Sequence, residues 1–462
     1  MREKLSSRLG FILLSAGCAI GIGNVWRFPY VTGQSGGGWF VLLYLGFLAL
    51  LGIPVLTMEF AAGRAAQRSP AKLHATLTPA GRPWRVHGLG CLLGNTCLMM
   101  FYTTVAGWML LYFLKTATGT FAGMDPEAIG GAFGGMLSDP VQQIVAMMLV
   151  CMGSAAVCAL GVQRGLERVS KWMMLALLVL IAALAVNSCL LDGAGRGLKF
   201  FLLPDFARMR EVGVAQVAVN AMNQSFFTLS LGIGAMAIFG SYIGRKKSLL
   251  GEAVNVAILD TVVAVSAGLI IIPACFAFGV EPGQGPGLIF VTLPNVFNHM
   301  PMGRLWGSLF FVFMSFAALT TVLAVFEVII ACVMDYTGWS RRRVCLLLAV
   351  AMPVLSLPCV LGFNEWAAFQ PFGEGSCVLD LEDFIVSDLL LPIGSLLFAL
   401  YTSHRFGWGW KNFVEEVNLG AGIKFRADKV AILRVYCAYI LPTIILVIFT
   451  IGLLERFKVI AF

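Results

Sequence analysis

Apolar runs separated by short polar stretches recur along the whole chain, near 11–33, 39–60, 88–114, 142–161, 172–191, 214–240, 254–279, 304–334, 344–363, 384–402 and 431–454. Each holds about 18 residues or more, enough for a helix to cross a bilayer, so the pattern predicts eleven spans. Two of them are flawed as helices. The first contains Gly17-Cys18-Ala19-Ile20-Gly21-Ile22-Gly23-Asn24-Val25-Trp26-Arg27-Phe28-Pro29, and the sixth contains Thr228-Leu229-Ser230-Leu231-Gly232-Ile233-Gly234-Ala235. A helix in lipid must satisfy its own backbone hydrogen bonds, and glycines followed by Asn, Arg and Pro work against that. Both runs should therefore break mid-membrane, which is tolerated only where the backbone is buried in protein or lines a cavity. A glycine-rich packing face would explain one such stretch. Two at matching positions of two halves are the pattern of transporters built from inverted repeats, whose freed carbonyls and amides hold ions and charged substrates.

Composition strengthens this picture. With 59% hydrophobic and 12% charged residues and a mean hydropathy of +0.87, the chain is far from the soluble norm of about 25% charged. It reads as an all-α membrane protein. The first run is too long for a cleaved signal peptide and no small-x-small site closes it. The net charge of +8 would suggest nucleic acid in a soluble protein. Here Lys and Arg occupy alternate loops, as at Arg2, Lys4 and Arg8, at Arg64 to Arg85, at Arg245-Lys246-Lys247 and at Arg341-Arg342-Arg343, while acidic residues occupy the others. The positive-inside rule places the N-terminus in the cytoplasm, and an odd number of spans places the C-terminus outside. The twelve cysteines lie mostly within apolar runs, with no Cys-x-x-Cys, and read as small packing residues. Cys189 and Cys377 both fall near the outer face, and whether they pair is left open by the sequence. The four histidines are scattered and do not suggest a metal or catalytic site.

A few polar residues within the runs stand out. Glu59 and Asp260 are acids in apolar helices, where a charge is costly without a partner, water, a cation or a proton. Tyr102 carries a hydroxyl that seeks an acceptor. Thr320-Thr321 would by itself be read as helix back-bonding.

Arg8-Leu9-Gly10, Gly21-Ile22-Gly23-Asn24, Trp26-Arg27-Phe28-Pro29, Gly36-Gly37-Gly38 and Phe226-Phe227-Thr228-Leu229-Ser230-Leu231-Gly232 together resemble the neurotransmitter:sodium symporters, in their short bacterial amino-acid form, over essentially the whole chain. The resemblance implies a five-plus-five inverted repeat with broken first and sixth helices: 1–199 as the first repeat, 200–403 as the second, and 404–462 as a cytoplasmic connection and an eleventh helix. It also implies two sodium ions. The first would be held by the Ala19 carbonyl, Asn24, Thr228 and Asp260, with the substrate carboxylate completing the shell. The second would take carbonyls of Gly17, Ile20 and Ala317 and the hydroxyls of Thr320 and Thr321. The substrate carboxylate would meet amides near Ile22 and Gly23 and the Tyr102 hydroxyl, and its ammonium the carbonyls of Ala19, Phe227 and Ser230. Leu98, Ile22, Phe227, Ile233, Thr321 and Val325 would surround its side chain. Arg27 with Asp383 would form an outer gate, Arg2 with Asp335 an inner one beside Tyr242, and Glu59 would brace the sixth helix. Monoamine carriers of the family have an aspartate where this chain has Gly21, so the resemblance implies an amino-acid substrate, neutral and mostly apolar.

Two departures stand against the family pattern: Leu175 replaces a frequent proline ten residues after Gly165, and Leu5 replaces an N-terminal tryptophan. The expectation is a sodium-coupled, chloride-independent symporter in the inner membrane of a bacterium. Its partners would be a small neutral amino acid and the bilayer, with no nucleic acid, and the chain would be a monomer or weak dimer. A non-transporting amino-acid sensor and a gated channel are the alternatives on the same fold. A membrane enzyme is disfavoured, because no nucleophile–base or metal-ligand constellation sits at bilayer depth.

Overall fold

Helices form wherever the sequence is apolar, and no strand occurs among the residues described by the computed structural model, 5–79, 83–279, 287–426 and 429–457. The first apolar run is α1 (Arg8–Ala19) and α2 (Gly23–Gln34), bent by 55° at the break between them. Then follow α3 (Gly38–Ala66), the short α4 (Pro70–Leu77), α5 (Arg85–Ala117), α6 (Pro140–Ala159) and α7 (Val162–Cys189). The sixth run is two helices, α8 (Val214–Thr228) and α9 (Ala235–Tyr242), of 15 and 8 residues, each too short to cross a bilayer alone. The chain continues as α10 (Leu249–Ala277), α11 (Gly303–Thr337), α12 (Arg341–Leu361), α13 (Val378–Ser403), the short α14 (Trp410–Val417) and α15 (Val430–Arg456). Among the described residues nine helices are individually long and apolar enough to span, and the bent α1–α2 pair makes a tenth. The α8–α9 pair occupies the remaining expected run.

The helices overshoot the apolar runs most where charged ends are satisfied by the fold. The fifth run is expected at 172–191, whereas α7 begins at Val162, because the buried Glu167 in its first turns accepts bonds from Ser6 and Ser7. α11 is the central pillar: 83% of its most apolar window is buried, against 28% for α7 and α15, which face the lipid. It packs on α5, α6, α7 and α1. Outside the spans, burial beside His87 holds the His74 imidazole of α4 well below its usual range. It therefore packs as a neutral ring, edge-on to Tyr401 at 4.4 Å.

Candidate functional site

Two gaps in the helical backbone define the site. α1 ends where Ile20 turns extended, at φ −73° and ψ 97°. On the other side, Ser230, Gly232 and Gly234 take φ of 50°, 92° and 71°, the left-handed region that stops a helix. Gly232 cannot be replaced without strain, since a Cβ there would sit 2.2 Å from the Leu391 carbonyl oxygen. Ser230 holds its conformation at a cost of about 1–3 kcal/mol, a form of strain that clusters at functional sites.

The freed backbone groups are taken up by specific side chains, which is what keeps the gaps open in an apolar interior. The Gly232 N–H donates to Glu59 Oε1 at 2.6 Å. Asn95 Nδ2 donates to the Ile233 carbonyl at 2.8 Å, and Gln224 Nε2 to that of Gly23 at 2.8 Å. Ser230 Oγ reaches across to the Cys18 carbonyl at 3.3 Å, tying one gap to the other. The Ile22 N–H donates to Tyr102 Oη at 2.7 Å, so these two groups face the same point from opposite sides.

Between the gaps lies a small cavity of ≈ 10 Å³, lined by Cys18, Ala19, Gly21, Gly23, Leu98, Tyr102, Phe227, Ser230, Ile233, Thr321 and Leu391. No lining side chain carries a charge. A Cβ on Gly21 would sit 2.1 Å from Tyr102 Oη and 2.5 Å from Thr321 Oγ1, so the wall is bare backbone by necessity. Of the residues expected around a substrate, the structure brings Ala19, Gly23, Leu98, Tyr102, Phe227, Ser230, Ile233 and Thr321 together here. Ile22, Thr228 and Val325 are buried close by but outside the lining.

Two oxygen clusters flank the cavity. In the first, Asp260 on α10 accepts from Asn24 Nδ2 at 2.8 Å, Thr228 Oγ1 at 3.0 Å and Tyr44 Oη at 3.4 Å, all buried. Ala19 lines the cavity alongside. In the second, Thr321 Oγ1 lies 3.2 Å from the Gly17 carbonyl, 3.3 Å from that of Ile20 and 3.4 Å from that of Ala317. Thr320 Oγ1 donates back to Ala317 at 3.0 Å and to Phe316 at 2.9 Å. The first cluster centres on carboxylate and hydroxyl oxygens and the second on carbonyl and hydroxyl oxygens, donor sets that suit a hard alkali cation rather than a transition metal.

The cavity is closed at both ends. Towards α2, Arg27 lies over the Phe227 ring at 4.6 Å and 3.8 Å from Asp383, below a polar vestibule of ≈ 510 Å³. At the other end, Asp335 accepts from the Ser69 N–H at 2.8 Å and lies 3.6 Å from Arg68; its expected partner Arg2 lies outside the described residues. Tyr242 donates to Glu327, which Arg341 grips with two nitrogens at 2.7 Å each. Ser6 donates to Glu167 through N–H at 2.8 Å and Oγ at 2.6 Å, and Arg8 bonds Glu252 at 2.8 Å. Arg64, fully buried, meets Glu416 at 2.6 Å. Sequence reasoning missed Glu167, Glu252, Glu327 and Glu416. Glu327 alone carried a signal, as an acid inside the apolar run 304–334; Glu167, Glu252 and Glu416 lie outside the runs, and only the fold buries them.

Comparison with known proteins places the chain in a family. Residues 2–125 and 135–459 match the model of the Sodium:neurotransmitter symporter family. The chain is 35% identical over 396 residues to the sodium-dependent transporter YhdH of Bacillus subtilis, covering 86% of each. It is 30% identical to a sodium-dependent transporter of Haemophilus influenzae, covering 97% of each. The crystal structure of MhsT in complex with L-phenylalanine superposes with a TM-score of 0.88 at 38% identity, over 97% of this chain and 99% of that one. With a matched family model over nearly its whole length, the chain belongs to the sodium:neurotransmitter symporter family.

Proposed function

We propose that the protein is a sodium-coupled symporter that carries a neutral, mostly apolar amino acid into a bacterial cell by alternating access, using two sodium ions and no chloride. The observation that carries this reading is the uncharged cavity set between two helix gaps and flanked by two oxygen clusters. The first sodium would lie among Ala19, Asn24, Thr228 and Asp260, and the second among Gly17, Ile20, Ala317, Thr320 and Thr321. The substrate carboxylate would separate the Ile22 amide from the Tyr102 hydroxyl, taking a bond from each, and complete the first sodium's shell. Ion and substrate then share a contact, so each raises the other's affinity by the same factor. A charged substrate side chain would find no partner among Leu98, Phe227, Ile233 and Leu391, at high cost. The binding of L-phenylalanine by MhsT supports that preference.

The chain would comprise two inverted repeats, 1–199 and 200–403, with the N-terminus in the cytoplasm and the C-terminus outside. Two sodium ions moving through about 100 mV and a tenfold gradient supply roughly 7 kcal/mol, a limiting accumulation of about 10⁵-fold. The test is uptake of labelled amino acids into proteoliposomes: accumulation should require sodium and carry inward current. Equal accumulation with choline in place of sodium would overturn the reading.

A further inference from the structure

A second cavity, of ≈ 410 Å³, opens at the basic end of the molecule between α3, α14 and α15. Its walls are apolar, chiefly Ala49, Ile53, Met58, Phe413, Leu433 and Cys437. α3 passes the groove through a wide turn at Leu48–Gly52, with Pro54 two residues beyond it. Its rim is not apolar at all. Lys424, Arg426 and Lys429, all exposed, stand along its mouth immediately before α15 enters the membrane.

That rim is held in place by the fold. Asn418 Oδ1 accepts from the Phe425 N–H at 2.8 Å and its Nδ2 donates to the Phe425 carbonyl at 3.3 Å. The Phe425 ring packs on Phe413 at 5.9 Å. Ala421 pairs through its backbone with Lys246 at 2.9 Å and Ser248 at 3.1 Å. The backbone that carries Lys424 and leads to Arg426 is thus anchored above an apolar groove that opens beside the lipid-facing α15. Apolar walls accept hydrocarbon at no polar cost, and clustered cations at headgroup depth select a negative headgroup over a zwitterionic one.

We propose that this groove binds one anionic phospholipid of the cytoplasmic leaflet, an acyl chain lying between α3 and α15 and the phosphate on Lys424 and Lys429. The bound chain lies against Met58, next to the Glu59 that holds the α8–α9 gap, and so steadies the part of α3 on which that gap depends.

Native mass spectrometry of the detergent-purified protein, titrated with phosphatidylglycerol and with phosphatidylcholine of the same chains, tests it. Phosphatidylglycerol should bind about tenfold more tightly. Lys424→Gln with Lys429→Gln should abolish that preference, Ala49→Trp should weaken both lipids by filling the groove, and Arg342→Gln with Arg343→Gln, exposed cations elsewhere on the basic face, should change nothing. A preference that survives the double lysine change, or is lost equally in the double arginine change, or binding untouched by Ala49→Trp, would overturn the proposal.

Discussion

Asp260 receives three neutral donors, Asn24, Thr228 and Tyr44, and the hydrogen-bonding groups on its two oxygens bring no positive charge. Donors of that kind orient a carboxylate without neutralising it, so a cation beside it lowers the cost of burial for both. If sodium is that cation, the fixed carboxylate supplies the counter-charge and chloride has no part to play. Uptake should then be unchanged when gluconate replaces chloride, while Asp260→Asn should weaken sodium affinity about tenfold or more, read as the sodium concentration for half-maximal uptake. The threonine pair divides its work unevenly. Thr320 bonds back into its own helix, whereas Thr321 reaches the α1 carbonyls. Thr321→Val should therefore weaken sodium dependence more than Thr320→Ala, with little loss of thermal stability in either. At this scale the sequence was readable only where a motif was long. Cys18 and Leu391 line the cavity although nothing in their types announces it, because the carbonyl of the first is what Ser230 reaches and the place of the second depends on how α13 meets the second gap.

At the scale of elements, the gaps were legible because glycine and proline are locally incompatible with a continuous helix. What closes around them was not, since Glu59 and Gly232 are 173 positions apart in sequence. The α8–α9 gap packs so closely on α13 that Gly394 too would drive a Cβ into the Gly232 carbonyl at 2.1 Å. Gly232→Ala should accordingly cost at least about 2 kcal/mol of stability, combining left-handed strain with a backbone clash. Loss of both thermal stability and substrate binding is expected, measured by a melting shift with and without substrate; a variant that melts normally would count against a rigid junction. The early start of α7 has a related reason. The apolar run begins only at 172, and the distant Ser6 and Ser7 make the charged Glu167 acceptable within a buried turn.

Across the whole molecule, the two closures differ in kind. On the α2 side, one partly exposed pair at 3.8 Å and one cation–ring contact hold Phe227 over the cavity, and such pairs contribute about 0–1 kcal/mol. Arg27→Ala should speed substrate dissociation towards the outside several-fold while leaving sodium binding intact, as stopped-flow release of bound ligand would show. At the α1 end, Ser6 and Ser7 hold the buried Glu167 through charge-assisted bonds that are worth more, about 1.5–3 kcal/mol each, while the half-exposed Arg8 adds less through Glu252. Glu167→Gln should raise hydrogen exchange of the α1 amides about tenfold or more, without changing exchange in α2.

The attachment of Ser6, Ser7 and Arg8 to two different helices also bears on the tempo of the proposed cycle. These bonds are partly shielded from water, and a swing of α1 would require all of them to let go. Opening past the Arg27–Asp383 pair would then run on a fast clock and opening at the α1 end on a slow one. Turnover in the proposed cycle would be timed by the unfastening of the segment before α1 rather than by how quickly a substrate finds the door.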